Sequence, residues 1–311
     1  VYSALSISNT ICVHKFFHVD DPVLVQNTNA VFAHMSLAVW PGLAMYIYTV
    51  TTTSQIQFKR ASADSCRRNK TVDEYKEYFD HLGSMQTLHI PIFASGYNQM
   101  PPQEWKHVVS RIGRRLGIRN GDYLWESGIG AGVFLEALSS GFSNVTLGGA
   151  DTSSILHLAR GRFKLQHTAI YISDIRNLNT VPRRLFKMFD KAVAFGVFQY
   201  LPSTEDAASA ANAMVAMTKP GGRLFIGNVY DQSSKNVSEN LLPCSSGHLY
   251  LPKSFWHTWS TQNRRVQKLS IIQDRDLWAD REEWGGVGRS DLWGYSNIFF
   301  SIRYSVFADI L

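Results

Sequence analysis

The sequence has little cysteine, and the three residues present, Cys12, Cys66 and Cys244, lie far apart. An odd, scattered set of this kind builds neither a disulfide framework nor a CxxC site. HxxH and HExxH patterns are absent from the sequence as well, and the ten histidines are scattered along it. Metal sites are built from such clusters, so we expect no metal ion in the functional site of this protein.

Charge is also modest, because Asp, Glu, Lys and Arg make up 18% of the 311 residues. With 45% hydrophobic and 13% aromatic residues the chain has enough apolar content for a packed core, which excludes wholesale disorder. The formal net charge is +6, and much of the excess is concentrated between Lys59 and Lys70. The pairs Arg114-Arg115 and Arg183-Arg184 are typical of solvated faces, so we expect no nucleic-acid partner.

No Asp, Glu, Lys or Arg occurs between Asp21 and Lys59. Within this stretch residues 29–50 are apolar, and their length matches the roughly 20 residues that span a bilayer. Trp40 is an interfacial residue type, and the basic cluster follows, which would place the remainder of the chain in the cytosol. His34 and Pro41 fit a span poorly. Two interpretations stay open, a membrane-anchored protein or a cytoplasmic one whose residues 29–50 pack on the domain.

After an N-terminal helical extension, residues 1–70, the composition becomes that of a globular domain, residues 71–311. Periodicity and end signals predict helices that alternate with strands, which indicates a mostly parallel sheet covered on both faces. The carboxyl ends of the strands then form one edge, where a ligand binds. The predicted helices are Thr71–Leu82, one opening at Pro101-Pro102 and stopped by Gly117, Val133–Ser140, Ser153–Phe163 and Thr204–Met217; the predicted strands are Asp122–Ser127, Val145–Ala150, Ala169–Ile172, Lys191–Phe195 and Arg223–Gly227, the last entered by a turn at Lys219–Gly222.

The C-terminal third has a different pattern. Leu251–Thr258 is predicted to begin a helix, and Val266–Ile272 and Asn297–Ile310 are rich in β-branched and aromatic residues typical of strands. Two late strands joined by an irregular stretch predict an antiparallel hairpin at the edge of the sheet.

The segment Glu126–Gly132 carries three glycines at alternate positions between a strand and a helix. Glycine allows positive φ and close approach of the backbone to a ligand. A dinucleotide-binding loop requires Gly or Ala where this sequence has Val133, which disfavours a nicotinamide oxidoreductase, and the phosphate-loop pattern is absent. The pattern that remains is E-x-G-x-G-x-G.

This run resembles the first motif of the class I S-adenosylmethionine-dependent methyltransferases, and the resemblance extends through most of residues 121–227. It implies a Rossmann-like fold, α/β and doubly wound, with a mostly parallel seven-stranded sheet, and S-adenosylmethionine as cofactor. It also implies that the glycines contact the methionine part, that an acidic residue accepts from the ribose hydroxyls and that a further pair contacts the adenine. The implied cofactor-binding residues are Glu126, Gly128, Gly130, Gly132, Asp151 and its neighbour Thr152, Asp174, Ile175, Phe195 and Gly196.

Four of these residues also have an ordinary structural interpretation: Asp151 and Asp174 as helix caps, Phe195 and Gly196 as packing at a strand end. Two further segments supply candidate residues for contact with the methyl acceptor. Tyr97 is the candidate lid residue of the segment before the first amphipathic helix, and Gln199 and Tyr200 follow the fourth strand. We interpret Tyr97 and Tyr200 as catalytic and Gln199 as substrate-binding; packing of Tyr97 and surface exposure of Gln199 are the alternatives.

The strand exit Phe195–Phe198 lacks the Asn/Asp-Pro-Pro-Tyr pattern of enzymes that methylate nucleobase amines. A small-molecule acceptor is therefore the first hypothesis, and a lipid or other membrane-borne acceptor gains weight if residues 29–50 form a span. A protein or RNA methyltransferase and a non-catalytic scaffold with this fold are the alternatives.

Overall fold

The structure is a computed structural model that describes residues 72–84, 102–162, 169–241, 247–278 and 302–311. All of them belong to one compact unit, Cys66–Leu311. The segment 29–50 and Tyr97 lie outside the described residues, so the predictions made for them remain predictions. In the part of the chain that is described, no helix is both long and apolar enough to cross a bilayer.

The centre of the unit is a seven-stranded sheet with the order β3-β2-β1-β4-β5-β7-β6. Neighbouring strands from β3 to β5 pair in parallel, whereas β7 pairs antiparallel with both β5 and β6. The predicted doubly wound sheet with a C-terminal antiparallel pair is confirmed. The strands are β1 (Tyr123–Ser127), β2 (Thr146–Asp151), β3 (Ala169–Ile172), β4 (Phe189–Phe195), β5 (Thr218–Tyr230), β6 (Val266–Gln273) and β7 (Arg303–Ile310).

Helices cover both faces of this sheet, as the core shows. Successive strand residues point to opposite faces, and Leu124 and Trp125 of β1 belong to two different buried clusters. The Leu124 cluster contains α2 and α3, and the Trp125 cluster contains α5 and α7. The described helices are α1 (Val72–Ser84), α2 (Pro102–Leu116), α3 (Val133–Ser139), α4 (Leu156–Arg162), α5 (Thr204–Met217), α6 (Lys235–Leu241), α7 (Lys253–Gln262) and α8 (Asp274–Trp278).

Several local signals act as the sequence indicates. Gly117 ends α2 with φ +64°, and the Ser203 hydroxyl accepts the Asp206 N–H at the start of α5. Other predicted boundaries differ from the structure. The first helix, predicted to end at Leu82, continues as α1 through Gly83 to Ser84. The sequence Lys219–Gly222 is no separate turn before β5 but a bulge inside it, since Phe189 pairs with Thr218 and Lys191 already pairs with Arg223.

Candidate functional site

The glycine loop that follows β1 is held against β2. The Ala150 carbonyl accepts the N–H groups of Gly128 (2.7 Å) and Ile129 (3.1 Å), which fixes where the loop turns. Gly128 has φ +77°, and a Cβ there would lie 2.5 Å from Val197 Cγ2, so a larger residue does not fit. A Cβ on Gly149 would lie 2.8 Å from Ile129 Cδ1, so that position also needs glycine.

Asp151 closes β2 directly beside this loop. Its carboxylate accepts the backbone N–H groups of Gly130 and Ser153, each at 2.8 Å, and that of Thr152. Burial raises the pKa of Asp151 and the backbone donors lower it, with a net rise above its ordinary value. A carboxylate has about four acceptor positions, so the backbone leaves one free toward the pocket. The contact with Ser153 is cap-like, yet the bond to Gly130 joins the carboxylate to the glycine loop.

Glu126 lies at the carboxyl end of β1 and is 2% exposed. Its carboxylate accepts the Leu135 N–H in the first turn of α3. Its Oε2 is buried and has no hydrogen-bond partner among the described residues. Burial, and secondarily the charge of Asp151, raise the pKa of Glu126 well above its ordinary value. A buried carboxylate oxygen of this kind is stabilised by a cationic or hydrogen-bonding ligand.

Asp174 follows β3 and is held by an arginine. The Arg176 guanidinium donates to both carboxylate oxygens of Asp174, at 2.6–3.0 Å, and also to Asp206 of α5 at 2.8 Å. These bonds lower the pKa of Asp174, although burial acts in the opposite direction as the largest effect. Ile175 lies between the two charged residues and is 7% exposed. The clamp fixes the loop after β3 at the edge of the pocket.

The fourth strand and α1 complete the opposite wall. Phe195 stacks on Phe134 of α3 with ring centres 4.9 Å apart, and Gly196 has φ +67° where the chain leaves β4. Tyr200 packs against Tyr75 of α1, with ring centres 4.7 Å apart. Asp80 ties α1 to the segment after β2, because it accepts from the hydroxyls of Ser153 and Ser154 at 2.9 and 2.8 Å.

These elements enclose one pocket at the carboxyl edge of the sheet. The predicted residues that line it are Glu126, Gly128, Gly130, Asp151, Thr152, Asp174, Ile175, Phe195, Gly196 and Tyr200. Gly132 instead precedes α3 as its N-cap, with φ +80°. Gln199 is not surface-exposed as its alternative interpretation held: it is 5% exposed, and its side chain hydrogen-bonds to Tyr200.

Sequence reasoning missed the contribution of α1. Tyr75 and Phe79 line the pocket together with Lys76, and Trp105 of α2 and Arg176 line it as well. The signal was present, because Tyr75 and Phe79 are spaced i, i+4 on a helix that is otherwise largely charged and therefore face one side. His248 is a further residue missed: its ring lies 5.3 Å from that of Tyr200.

The pocket fits the cofactor that the resemblance implies. A bare glycine loop, a carboxylate with remaining acceptor capacity and a buried carboxylate oxygen without a partner among the described residues lie along one wall. A nucleoside joined to an amino acid through sulfur offers groups of matching chemistry: an ammonium for a buried carboxylate oxygen, ribose hydroxyls for an acceptor, and a flat base.

No protein-family model matches the sequence, and no curated protein matches it. Solved structures do resemble the fold. A chain of the complex between the Haloferax volcanii Trm112 methyltransferase activator and the putative methyltransferase superposes with a TM-score of 0.51 and 15% identity, covering 74% of this chain and 96% of that one.

Two further structures are more distant. Haemonchus contortus phosphoethanolamine N-methyltransferase 2, in complex with phosphomonomethylethanolamine and S-adenosylhomocysteine, is 14% identical with a TM-score of 0.49; the alignment covers 75% of this chain and 60% of that one. The N-methyltransferase NodS from Bradyrhizobium japonicum, in complex with S-adenosylhomocysteine, is 17% identical with a TM-score of 0.46. The alignment covers 76% of this chain and 96% of that one. At these identities the likeness concerns the fold, and the described part of the chain has the fold of the S-adenosylmethionine-dependent methyltransferases.

Proposed function

We propose that this protein binds S-adenosylmethionine and transfers its methyl group to a nitrogen or oxygen of a small-molecule acceptor. The observation that carries the proposal is the meeting of the glycine loop, Asp151 and the buried Glu126 carboxylate in one pocket at the carboxyl edge of the sheet. A solvated surface loop would need neither the bond between Gly130 and Asp151 nor a buried carboxylate.

Each part of the pocket has a role in holding this cofactor. Glu126 would pair with the ammonium of the methionine part, and the glycine loop would lie along that part. Asp151 would accept from the ribose hydroxyls, and the clamped loop at Asp174 and Ile175 would hold the adenine. When bound, the cofactor would supply an electrophilic methyl group on a positively charged sulfur, and the sulfur would leave as a neutral thioether with the electron pair of the carbon–sulfur bond. The proton lost by the acceptor nitrogen or oxygen would pass to water.

The remaining task of the protein is alignment in a site that excludes water. Phe195, Tyr75 and Tyr200 form the apolar wall around the acceptor side. Burial raises the pKa of Tyr75 to about 12 and also raises the pKa of Tyr200, so both hydroxyls stay protonated at neutral pH. Tyr200 would therefore orient the acceptor as a hydrogen-bonding group and does not serve as a base.

Thermal unfolding of the full chain with ligands tests the proposal. We expect S-adenosylmethionine and S-adenosylhomocysteine to raise the unfolding temperature and NAD to leave it unchanged, because only a ligand that binds the folded state stabilises it. Calorimetry should show that Asp151→Ala weakens the binding of S-adenosylhomocysteine by about 1–3 kcal/mol, the range for losing charged hydrogen bonds.

Glu205→Gln is the matched control, since Glu205 is an exposed carboxylate on α5 away from the pocket. It should bind S-adenosylhomocysteine as the unmodified protein does. Stabilisation by NAD alone would indicate an oxidoreductase, and no stabilisation by any of the three ligands would indicate a scaffold.

A further inference from the structure

Five aromatic rings form a continuous surface beside the pocket, here called the aromatic wall: Tyr75, Phe79, Tyr200, Tyr230 and His248. Tyr200 lies at its centre, with ring centres 4.7 Å from Tyr75, 5.6 Å from Phe79 and 5.3 Å from His248. His248 continues the surface to Tyr230 at 4.9 Å. The rings meet at tilted or edge-on angles, the arrangement in which aromatic pairs attract one another.

Three of the five rings of the aromatic wall line the pocket itself. Tyr75, Phe79 and Tyr200 line the same pocket as the glycine loop. They come from α1 and from the turn that follows β4, whereas the loop and Asp151 follow β1 and β2. A cofactor held by the loop and Asp151 therefore leaves the aromatic wall as the surface on its other side.

The charges around the wall disfavour a cationic acceptor. Tyr75, Tyr200 and Tyr230 all have pKa values raised first of all by burial, which marks poorly solvated surroundings. The Arg303 guanidinium lies 4.2 Å from the Tyr230 ring centre and brings positive charge behind the wall.

The carboxylates near the wall are poorly placed to balance a cation on it. Among the described residues, the acidic side chains that line the pocket are Glu126, Asp151 and Asp174, and they lie with the glycine loop and the strand ends β1 to β3. Glu74, beside Tyr75 on α1, is exposed to solvent, and its charge is the smallest of the three causes that raise the pKa of Tyr75. A buried cation that lacks a paired carboxylate is costly.

We propose that the aromatic wall is the binding site of the methyl acceptor and that it takes a flat, uncharged aromatic hydroxyl compound. This inference rests on the methyltransferase function proposed above. A flat ring stacks on Tyr200 and Tyr75, and its hydroxyl exchanges hydrogen bonds with the protonated tyrosine hydroxyls. An ammonium acceptor would have to lie in poorly solvated surroundings without a paired carboxylate, which is costly.

A comparison of binding by two probes that share a naphthalene ring and differ in charge tests the inference. Isothermal titration of 2-naphthol and of 2-naphthylmethylammonium is carried out on the full chain saturated with S-adenosylhomocysteine. We expect 2-naphthol to bind and the ammonium to bind at least about tenfold more weakly, the equivalent of about 1.4 kcal/mol. Equal or tighter binding of the ammonium would overturn the inference, because the wall would then act as a cation-binding cage.

Variants of one helix locate the site. Tyr75→Leu keeps an apolar side chain without the ring and should weaken 2-naphthol binding by about three- to tenfold, the range for one aromatic contact. Tyr75→Phe keeps the ring and should keep most of the affinity. Tyr78→Leu is the control on the same helix, because Tyr78 is 47% exposed and does not itself line the pocket, although its ring packs edge-on against Phe79 at 5.3 Å.

The outcomes separate the two proposals. Binding of S-adenosylhomocysteine without binding of 2-naphthol would overturn the acceptor site and leave the methyltransferase function standing. An equal loss in Tyr75→Leu and Tyr78→Leu would also overturn it, since the effect would then come from the helix as a whole. Failure of S-adenosylhomocysteine to bind would overturn the function and this inference together.

Discussion

At the scale of single residues, Glu126 is the least balanced group of the site. It is 2% exposed, accepts the Leu135 N–H and has one carboxylate oxygen without a partner among the described residues. Burial and the neighbouring Asp151 raise its pKa, so the free pocket favours its protonated form. An ammonium placed beside it would favour the ionised form instead.

Cofactor binding should therefore release protons. The pKa of Glu126 is raised in the free protein and falls when the ammonium binds, so the complex holds fewer protons and affinity increases as the pH rises from the pKa of the complex toward the raised pKa of the free protein. Calorimetric titration of S-adenosylhomocysteine in two buffers of different ionisation enthalpy measures the protons released.

Glu126→Gln is the isosteric control for this effect. It should bind more weakly and lose the proton release, because an amide neither titrates nor pairs with a cation in the same way. Proton uptake on binding to the unmodified protein, or release that persists in the variant, would contradict the assignment of Glu126 to the ammonium.

At the scale of secondary-structure elements, β6, α8 and β7 form the antiparallel end of the sheet. Asp274, the first residue of α8, is 0% exposed. Its Oδ1 accepts the Ser305 hydroxyl of β7 at 2.6 Å. Its Oδ2 has no partner among the described residues. Burial raises the pKa of Asp274 from 3.8 to about 7.

Replacement of Asp274 by Asn should stabilise the protein at pH 8 and have less effect at pH 5. Between about pH 4 and pH 7 the folded state binds more protons at Asp274 than the unfolded state does, so the free energy of unfolding falls as the pH rises. Three pKa units correspond to an upper bound of about 4 kcal/mol. Urea unfolding at the two pH values measures the difference.

Asp309→Asn is the matched control, because Asp309 is a carboxylate of β7 that pairs with Arg223 and is 36% exposed. Exposed ion pairs contribute little, so its effect on the free energy of unfolding should be small. A gain in Asp274→Asn that is the same at both pH values would show that the carboxyl does not titrate between them.

The elements themselves show where sequence patterns are sufficient. The alternation that predicted β1 to β5 is confirmed because short strand runs alternate with helical segments, and some helix ends carry local signals, such as Ser203 before α5 and Gly117 after α2. The predicted turn at Lys219–Gly222 lies instead as a bulge inside β5, because β5 pairs with β4 on both sides of it, at Thr218 and again from Arg223 onward, and that partner is distant in sequence.

At the scale of the whole molecule, the open question is whether residues 29–50 attach the protein to a membrane. We predict that the full chain stays in the membrane fraction after a carbonate wash, because the segment has the length and the lack of charge of a bilayer span. Leu37→Arg is the control: a charge near the centre of a span costs about 2.5–3.5 kcal/mol on the insertion scale and should reduce retention. Full release of the unmodified chain would refute the span.

The sequence by itself determined the fold class and pointed to the glycine loop and Asp151 as one side of the pocket. Both inferences depend on patterns within short stretches of sequence. The spacing of Gly128, Gly130 and Gly132, and acidic residues placed directly after strands, are visible without any partner. Because the strands are parallel, their carboxyl ends then lie at the same edge of the sheet.

Only the tertiary structure decided which aromatic residues meet beside the pocket. Tyr75, Tyr200 and His248 are separated by long stretches of chain, and none of them carries a local motif. They meet because α1 is tied to the segment after β2 by Asp80 and because the chain returns past Tyr200 at Leu249, whose N–H donates to the Gln199 carbonyl at 2.8 Å. Spacing along the chain can mark a face, such as that of Tyr75 and Phe79, or a strand exit, such as that before Tyr200, but packing decides which of these residues meet.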